Sequence, residues 1–276
     1  MTDLITTKIL SGKEVAESVY DRMDESIISL SSQGVVPGLA AVLMGSDPAS
    51  EVYVRMKTKR FSKLKLHSET FYMPADLKEH DIADVISKLN ENPKYHGILV
   101  QLPLPKHIDT EKILNAVSPN KDVDGFHPEN LGRLASGKPR FIPCTPKGIL
   151  EILKHYDIST QGKHVVVVGR SNIVGRPISL LLGLKNDTGN ATVTVCHSRT
   201  PDIGYHTRQA DIIIAAVGVV PAGFPSTMRR KMPSPRFNSC NSPPMSPAIT
   251  STPVRSLWPD TAWAASWRRM RQQQSR

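Results

Sequence analysis

His164-Val-Val-Val-Val-Gly169-Arg-Ser-Asn-Ile-Val-Gly175-Arg-Pro177 is the stretch on which the fold turns. Four consecutive valines closed by a glycine read as a strand buried on both faces, as parallel sheets contain. Gly169 then permits a tight turn, and Gly175 permits a following helix, Val174 to Leu184, to pack close against the strand. Backbone N–H groups gather at a helix start, so the turn of Gly169, Arg170, Ser171, Ile173, Val174 and Gly175 has the build of a phosphate-binding loop. The letters are not G-x-G-x-x-G, however, and an ordinary strand-to-helix turn accounts for the pattern on its own.

The residues downstream favour the nucleotide reading. Ala191-Thr-Val-Thr-Val-Cys196 is a second strand, and Ala210-Asp-Ile-Ile-Ile-Ala-Ala-Val-Gly218 a third. Strand, glycine turn, helix, strand is half of a Rossmann-like domain. The second strand runs into His197, Ser198 and Arg199, where an NAD enzyme places Asp or Glu for the ribose hydroxyls. Ser198 and Arg199, with Arg170 across the turn, instead suit a 2′-phosphate, so NADP is the expected cofactor. No metal site is expected.

Upstream, Thr145-Pro-Lys-Gly-Ile-Leu starts a helix with Thr145 as cap and proline at its first position, and marks a boundary. Before it strands and helices alternate. Ser11-Gly-Lys-Glu14 has capping-box form ahead of the stripe Val15, Val19, Met23 and Leu30. Gly38 to Gly45 is a buried strand, and Asp47-Pro-Ala-Ser50 turns into a helix capped by Ser50 and reaching about Leu64. A strand from Thr70 to Met73, a helix from Asp81 to Leu89, a proline-ended strand from Gly97 to Pro105 and a helix from Glu111 to Val117 follow. Lys121-Asp-Val-Asp-Gly125 is a loop. The expected fold is α/β: an N-terminal α/β catalytic domain over residues 1–145, then an NAD(P)-binding Rossmann-like domain over 146–223 that is incomplete at its C-terminal end.

Three features of the first domain are chemically suggestive. Tyr53 and Lys57 stand four apart on one helix, where a phenol can tune an amine, although such a pair is usually a solvated face like that of Lys59, Arg60, Lys63 and Lys65. Gln101 lies in an otherwise apolar strand and must find a partner. Asp124 beside Gly125 reads as an Asx-type turn, or as a carboxylate facing the N–H edge of a heterocycle. Each alone is structural as readily as functional.

Composition narrows the classes. No apolar run approaches the roughly 20 residues that span a bilayer. Cys144, Cys196 and Cys240 are scattered, which argues against a disulfide framework and for a reducing cytosol; Cys144 and Cys196 read as buried small hydrophobes. The net charge of +10 across 276 residues would suggest a nucleic-acid partner, but it is uneven. Residues 1–223 hold 26 basic and 24 acidic residues, whereas 224–276 hold nine basic residues and one acid, with eight prolines and no glycine.

Taken in order, Ser50-Glu-Val-Tyr53-Val-Arg-Met-Lys57, Gly97-Ile-Leu-Val-Gln-Leu-Pro-Leu-Pro105, Lys121-Asp-Val-Asp-Gly-Phe, Pro143-Cys-Thr-Pro-Lys-Gly and Val168-Gly-Arg-Ser-Asn-Ile-Val-Gly-Arg-Pro closely resemble the bifunctional methylenetetrahydrofolate dehydrogenase/methenyltetrahydrofolate cyclohydrolase family. The resemblance covers residues from about 4 to 220. It implies NADP-dependent oxidation of 5,10-methylenetetrahydrofolate and hydrolysis of the product, in one-carbon metabolism. It makes Lys57 catalytic, with Gln101 supporting it and Tyr53 stacking on or bonding the folate. Asp124 binds the pterin, and Ser50, Leu102 and Pro103 join the substrate site. The loop Gly169 to Gly175, with His197, Ser198 and Arg199, takes the cofactor. A cytoplasmic homodimer, with no nucleic-acid or membrane partner, is also implied.

After residue 223 the family's later motifs, a V-I-D-V-G-I-N strand and a P-V-P-G-G-V-G-P-M-T loop, do not appear. The expectation is a frameshift near residues 219–224, a disordered tail over 224–276, sheet edges left unpaired, and impaired dehydrogenase activity. Two other readings stand beside the first: a nucleic-acid binder that uses the basic tail with Trp258, Trp263 and Trp267, and another two-domain NADP dehydrogenase of shikimate-dehydrogenase-like build.

Overall fold

The computed structural model describes residues 9–217 and the backbone of 248–250. The expectations for 224–276, the shifted reading frame and the disordered basic tail included, otherwise lie outside the described residues. The described chain divides into two compact units, 18–144 and 9–17 with 145–217.

In the unit 18–144, β1 (Gly38–Met44) lies between β2 (His67–Met73) and β3 (Gly97–Val100), all parallel, with Val42 opposite Phe71 and Val100. Strand alternation sends side chains to two faces. Ala40, Val42 and Met44 pack with Ile82, Ile86 and Leu89 of α3 (Glu79–Glu91) and Ile113 of α4 (Thr110–Ala116). Leu39, Ala41 and Leu43 pack with Val54 and Phe61 of α2 (Pro48–Lys63) and with Leu99, Val123 and Phe141. This second face carries the pocket described below. A further helix, α5 (Pro128–Ala135), was not expected from the sequence; it is a two-turn helix opened by His127 as N-cap and Pro128 at N1.

Three local expectations are corrected. The N-cap of α2 is Asp47, not Ser50: the Asp47 carboxylate accepts the Ser50 N–H at 2.8 Å, and Pro48 fills the first helical position. Gln101 is not inside the strand but one residue past it, its N–H still donating to the Val42 carbonyl at 2.9 Å. Arg60 does not belong to a solvated face: its guanidinium lies 3.3 Å from the centroid of the Tyr20 ring.

In the second unit, α6 (Cys144–His155) leads to β4 (His164–Val168), α7 (Gly175–Gly183), β5 (Thr192–Cys196), α8 (Ile203–Arg208), β6 (Ile212–Ala215) and β7 (Ala248–Thr250). The strands are parallel in the order β5-β4-β6-β7, with Val168 opposite Cys196 and Ala215. The four valines of β4 are fully buried. Val165 and Val167 meet Ile149, Leu153, Ile178 and Leu182, while Val166 and Val168 meet Cys196, Ile203 and Ala215. The expectation of an unpaired sheet edge is not met at β6, because β7 pairs with it. The capping box at Ser11, which opens α1 (Gly12–Ser31), is only half formed. Ser11 Oγ accepts the Glu14 N–H at 3.4 Å, but the Ser11 N–H goes to the Tyr156 hydroxyl at 2.6 Å, not to Glu14.

Candidate active site

The apolar stripe of α2 runs Ser50, Val54, Lys57, Phe61, four residues at alternating spacings of four and three. Lys57 therefore occupies a position that helix geometry turns into the protein, and it is 5% exposed. Its Nζ lies 4.2 Å from the centroid of the Tyr53 ring, one turn earlier. The solvated-face reading fails for this pair, while Lys59, Lys63 and Lys65 do face water.

Lys57 lines a pocket with Asp124 and Cys144, over a floor of Leu39, Phe61, Leu99 and Val123. The loop that brings Asp124 there depends on Gly125, whose φ of +68° belongs to the left-handed region and whose Cβ would meet Pro143 at 3.2 Å. Cys144 Sγ lies 3.7 Å from Asp124 Oδ1. Cys144 is therefore only half-buried and lines the pocket, in contrast to the inert hydrophobe expected. Cys196 does fit that description: it is fully buried and burial pushes its thiol up. The signal for Cys144 was its place between Pro143 and Thr145 in a motif otherwise read as a helix start.

Other expected substrate residues stand outside this pocket lining. Ser50 is buried on the same face of α2, and its hydroxyl and N–H together hold the Asp47 carboxyl below its ordinary range. Gln101 is half-buried and its Nε2 donates to the Leu102 carbonyl at 2.8 Å. The Leu102–Pro103 peptide is cis, and Pro103 is exposed. Asp122, two residues before Asp124 and unremarked in the sequence, is a buried carboxylate; burial pushes its carboxyl up, against hydrogen bonds from Asn130 and the N–H groups of His127 and Phe126.

In the second unit the turn after β4 is closely built. Gly169 has φ +124°, and a Cβ there would lie 2.2 Å from the Ala216 carbonyl oxygen. A Cβ on Gly175 would lie 2.3 Å from the Gly169 oxygen. Only glycine fits either place. Ser171 Oγ accepts the N–H groups of Val174 at 3.2 Å and Gly175 at 3.4 Å, which opens α7. Arg170 and Ser171 are exposed, Ile173 and Val174 half-buried. Beyond β5, His197 and Thr200 close a turn in which the Thr200 N–H donates to the His197 carbonyl at 2.8 Å and the Arg199 N–H to His197 Nδ1 at 3.1 Å. That turn presents Ser198 and Arg199 to solvent and contains no carboxylate. Among the described residues no group of three or more His, Cys, Asp or Glu is placed to hold a metal ion, and no helix is long and apolar enough to cross a membrane.

A dinucleotide-type turn with a basic second-strand end in one unit, and a screened amine in the other, define a class: two-domain α/β enzymes that use a nicotinamide cofactor. Within it the chain belongs to the tetrahydrofolate dehydrogenase/cyclohydrolase family. The family's catalytic domain matches residues 10–124 and its NAD(P)-binding domain residues 143–224. A bifunctional protein FolD of Geotalea uraniireducens is 52% identical over 211 residues, 76% of this chain and 74% of the relative. The crystal structure of a bifunctional FolD from Campylobacter jejuni is 41% identical with a TM-score of 0.74, over 78% of this chain and 75% of that one. A Trypanosoma brucei methylenetetrahydrofolate dehydrogenase-cyclohydrolase complexed with NADP and an inhibitor is 34% identical with a TM-score of 0.72, over 77% and 72%.

Proposed function

We propose that this chain oxidises 5,10-methylenetetrahydrofolate with NADP+ to 5,10-methenyltetrahydrofolate and hydrolyses that product to 10-formyltetrahydrofolate. The observation that carries the reading is Lys57, an amine set into the buried stripe of α2 under Tyr53 and sharing one pocket with Asp124. Bound NADP+ supplies the hydride acceptor for the first reaction. Exposed Arg170, Ser198 and Arg199 suit its 2′-phosphate, and the glycine-restricted turn from Gly169 to Gly175 suits its pyrophosphate.

In the second reaction water adds to the bridging carbon and the carbon–N5 bond breaks. One proton of the water ends on N5 and the other is released. Lys57 is the group we assign to carry a proton between water and folate, and its screening from solvent keeps that exchange local. Asp124 is assigned to hold the pterin through its N–H edge, as an ionised carboxylate accepts paired hydrogen bonds. Tyr53 is assigned the folate ring face. Gln101 is assigned the orientation of Lys57, and Ser50, Leu102 and Pro103 the remaining substrate contacts.

The setting we propose is the cytoplasm, with two copies of the chain associating through the second unit. There β5 is an outer strand of the sheet and Val195 on it is exposed. The test of the catalytic reading is a spectrophotometric assay with methylenetetrahydrofolate and NADP+. NADPH formation followed by decay of the methenyl absorbance is expected. Neither reaction in folded protein with both substrates at saturation would refute it.

A further inference from the structure

The loop that carries Asp124 is held from behind by a buried polar chain. Ile98 donates its N–H to the Lys121 carbonyl at 2.7 Å, which tacks the loop to β3. Asp122 follows, 5% exposed, and its Oδ2 accepts the His127 N–H at 2.9 Å and Asn130 Nδ2 at 2.8 Å. The Asp122 carbonyl accepts the Gly125 N–H at 3.2 Å. One residue thus closes the loop over its crest, Val123 and Asp124, from the main chain and from the side chain.

Asn130 is 0% exposed and uses its whole amide. Nδ2 also donates to the Pro119 carbonyl at 2.9 Å, and Oδ1 accepts Arg140 Nη1 at 3.0 Å. Arg140 Nη2 pairs with Glu129 Oε1 at 2.8 Å. The Arg140 bond fixes which way the amide points, and therefore that Asp122 receives a donor. Arg140 precedes Phe141 and Pro143, and a Cβ on Gly125 would meet the Phe141 oxygen and Pro143. The same short segment therefore supports the crest on its other side.

A carboxylate buried at this depth costs free energy unless its partners repay it, and hydrophobic residues would fill the space at lower cost. What the chain from Glu129 through Arg140 and Asn130 to Asp122 supplies is direction. We infer that Asp122 is a positioning residue for the folate site, acting through Asp124, with Asn130 and Arg140 as its supports. This rests on the proposal that Asp124 contacts the folate.

The test is a double-mutant cycle in the full chain. Asp122→Asn keeps the shape but replaces a charged acceptor by a neutral one, which weakens the bonds from the His127 N–H and Asn130 Nδ2. It is expected to raise the KM for methylenetetrahydrofolate about tenfold, with the KM for NADP+ within about twofold of the parent. In an Asp124→Asn background the same change is expected to move the folate KM by less than about twofold, because the residue through which it acts is already lost. Equal effects in the two backgrounds, or a parallel rise in the KM for NADP+, would overturn the inference in favour of a general stabilising role. Should Asp122→Asn fail to fold, Arg140→Met, which has no donor for Asn130 or Glu129, is read by the same criteria. A second readout needs no turnover. The rate at which iodoacetamide alkylates Cys144, followed by peptide mass, is expected to change at least about threefold in Asp122→Asn while Cys196 stays protected. An inactive parent with that change would refute the folate reading but keep the positioning role; an unchanged rate would refute the positioning role.

Discussion

Gly175→Ala isolates what the nucleotide turn contributes. Ordinary contact with a Cβ begins near 3.4 Å, and here the new carbon would lie 2.3 Å from the Gly169 oxygen, 2.6 Å from its carbonyl carbon and 2.8 Å from the Arg170 nitrogen. All three are backbone atoms of the same turn, so no side chain can rotate away. The turn must move by about 1 Å, and overpacking of that kind costs about 1–3 kcal/mol. Alanine returns up to about 1 kcal/mol as the better helix former at the start of α7. The net loss of stability is therefore at most about 3 kcal/mol, and in the folded variant the effect falls on ligand placement. A displacement of about 1 Å costs roughly a hundredfold in a positioned reaction. The expectation is a fall of about a hundredfold in kcat/KM for NADP+, read from NADPH absorbance at saturating methylenetetrahydrofolate. Hydrolysis of supplied 5,10-methenyltetrahydrofolate should stay within about twofold of the parent, since Lys57 and Asp124 belong to the other unit. Folded Gly175→Ala with unchanged kcat/KM for NADP+ would refute the assignment of this turn.

Two further predictions concern the cofactor and pH. Arg199→Ala removes an exposed guanidinium from the end of β5 and should raise the KM for NADP+ by about tenfold to a hundredfold, the usual worth of a charge-assisted phosphate contact, while leaving the KM for NAD+ unchanged; parallel kinetics with the two cofactors check it. His96 Nδ1 accepts the Gly38 N–H at 3.0 Å, which needs that nitrogen unprotonated, and burial, aided by Lys121, lowers its proton affinity below the ordinary 6.5. As pH falls through 6.5 the unfolded chain binds a proton that the folded chain refuses, so stability is full above that value and declines below it. Urea midpoints across that range should drop in the parent and drop less in His96→Gln, and identical slopes would count against the assignment.

Much of the fold can be read directly from residue order because its signals are local. Four valines closed by Gly169 give β4, and glycine-bounded apolar residues give β1, without knowledge of any neighbour. Elements that rest on few residues are harder. The eight residues of α5 offer too little periodicity, and the choice between Asp47 and Ser50 as cap depends on which of two side chains reaches which N–H. The site divides along the same line. Lys57 and Tyr53 share a face by spacing alone, but that the face is the buried one follows only when Val54 and Phe61 are known to meet β1. The place of Cys144 against Asp124, and the chain from Asp122 to Arg140, join residues 8 to 20 positions apart through side-chain bonds that no periodicity records.

The central claim is that Lys57 carries protons in the folate site, and the most direct measurement is the rate at which Lys57→Met hydrolyses 5,10-methenyltetrahydrofolate. Methionine keeps the bulk and the buried contacts of the side chain and removes only the amine. A folded variant with hydrolysis no faster than the reaction in buffer, beside an active parent, is the result predicted; hydrolysis near the parental rate would contradict the account.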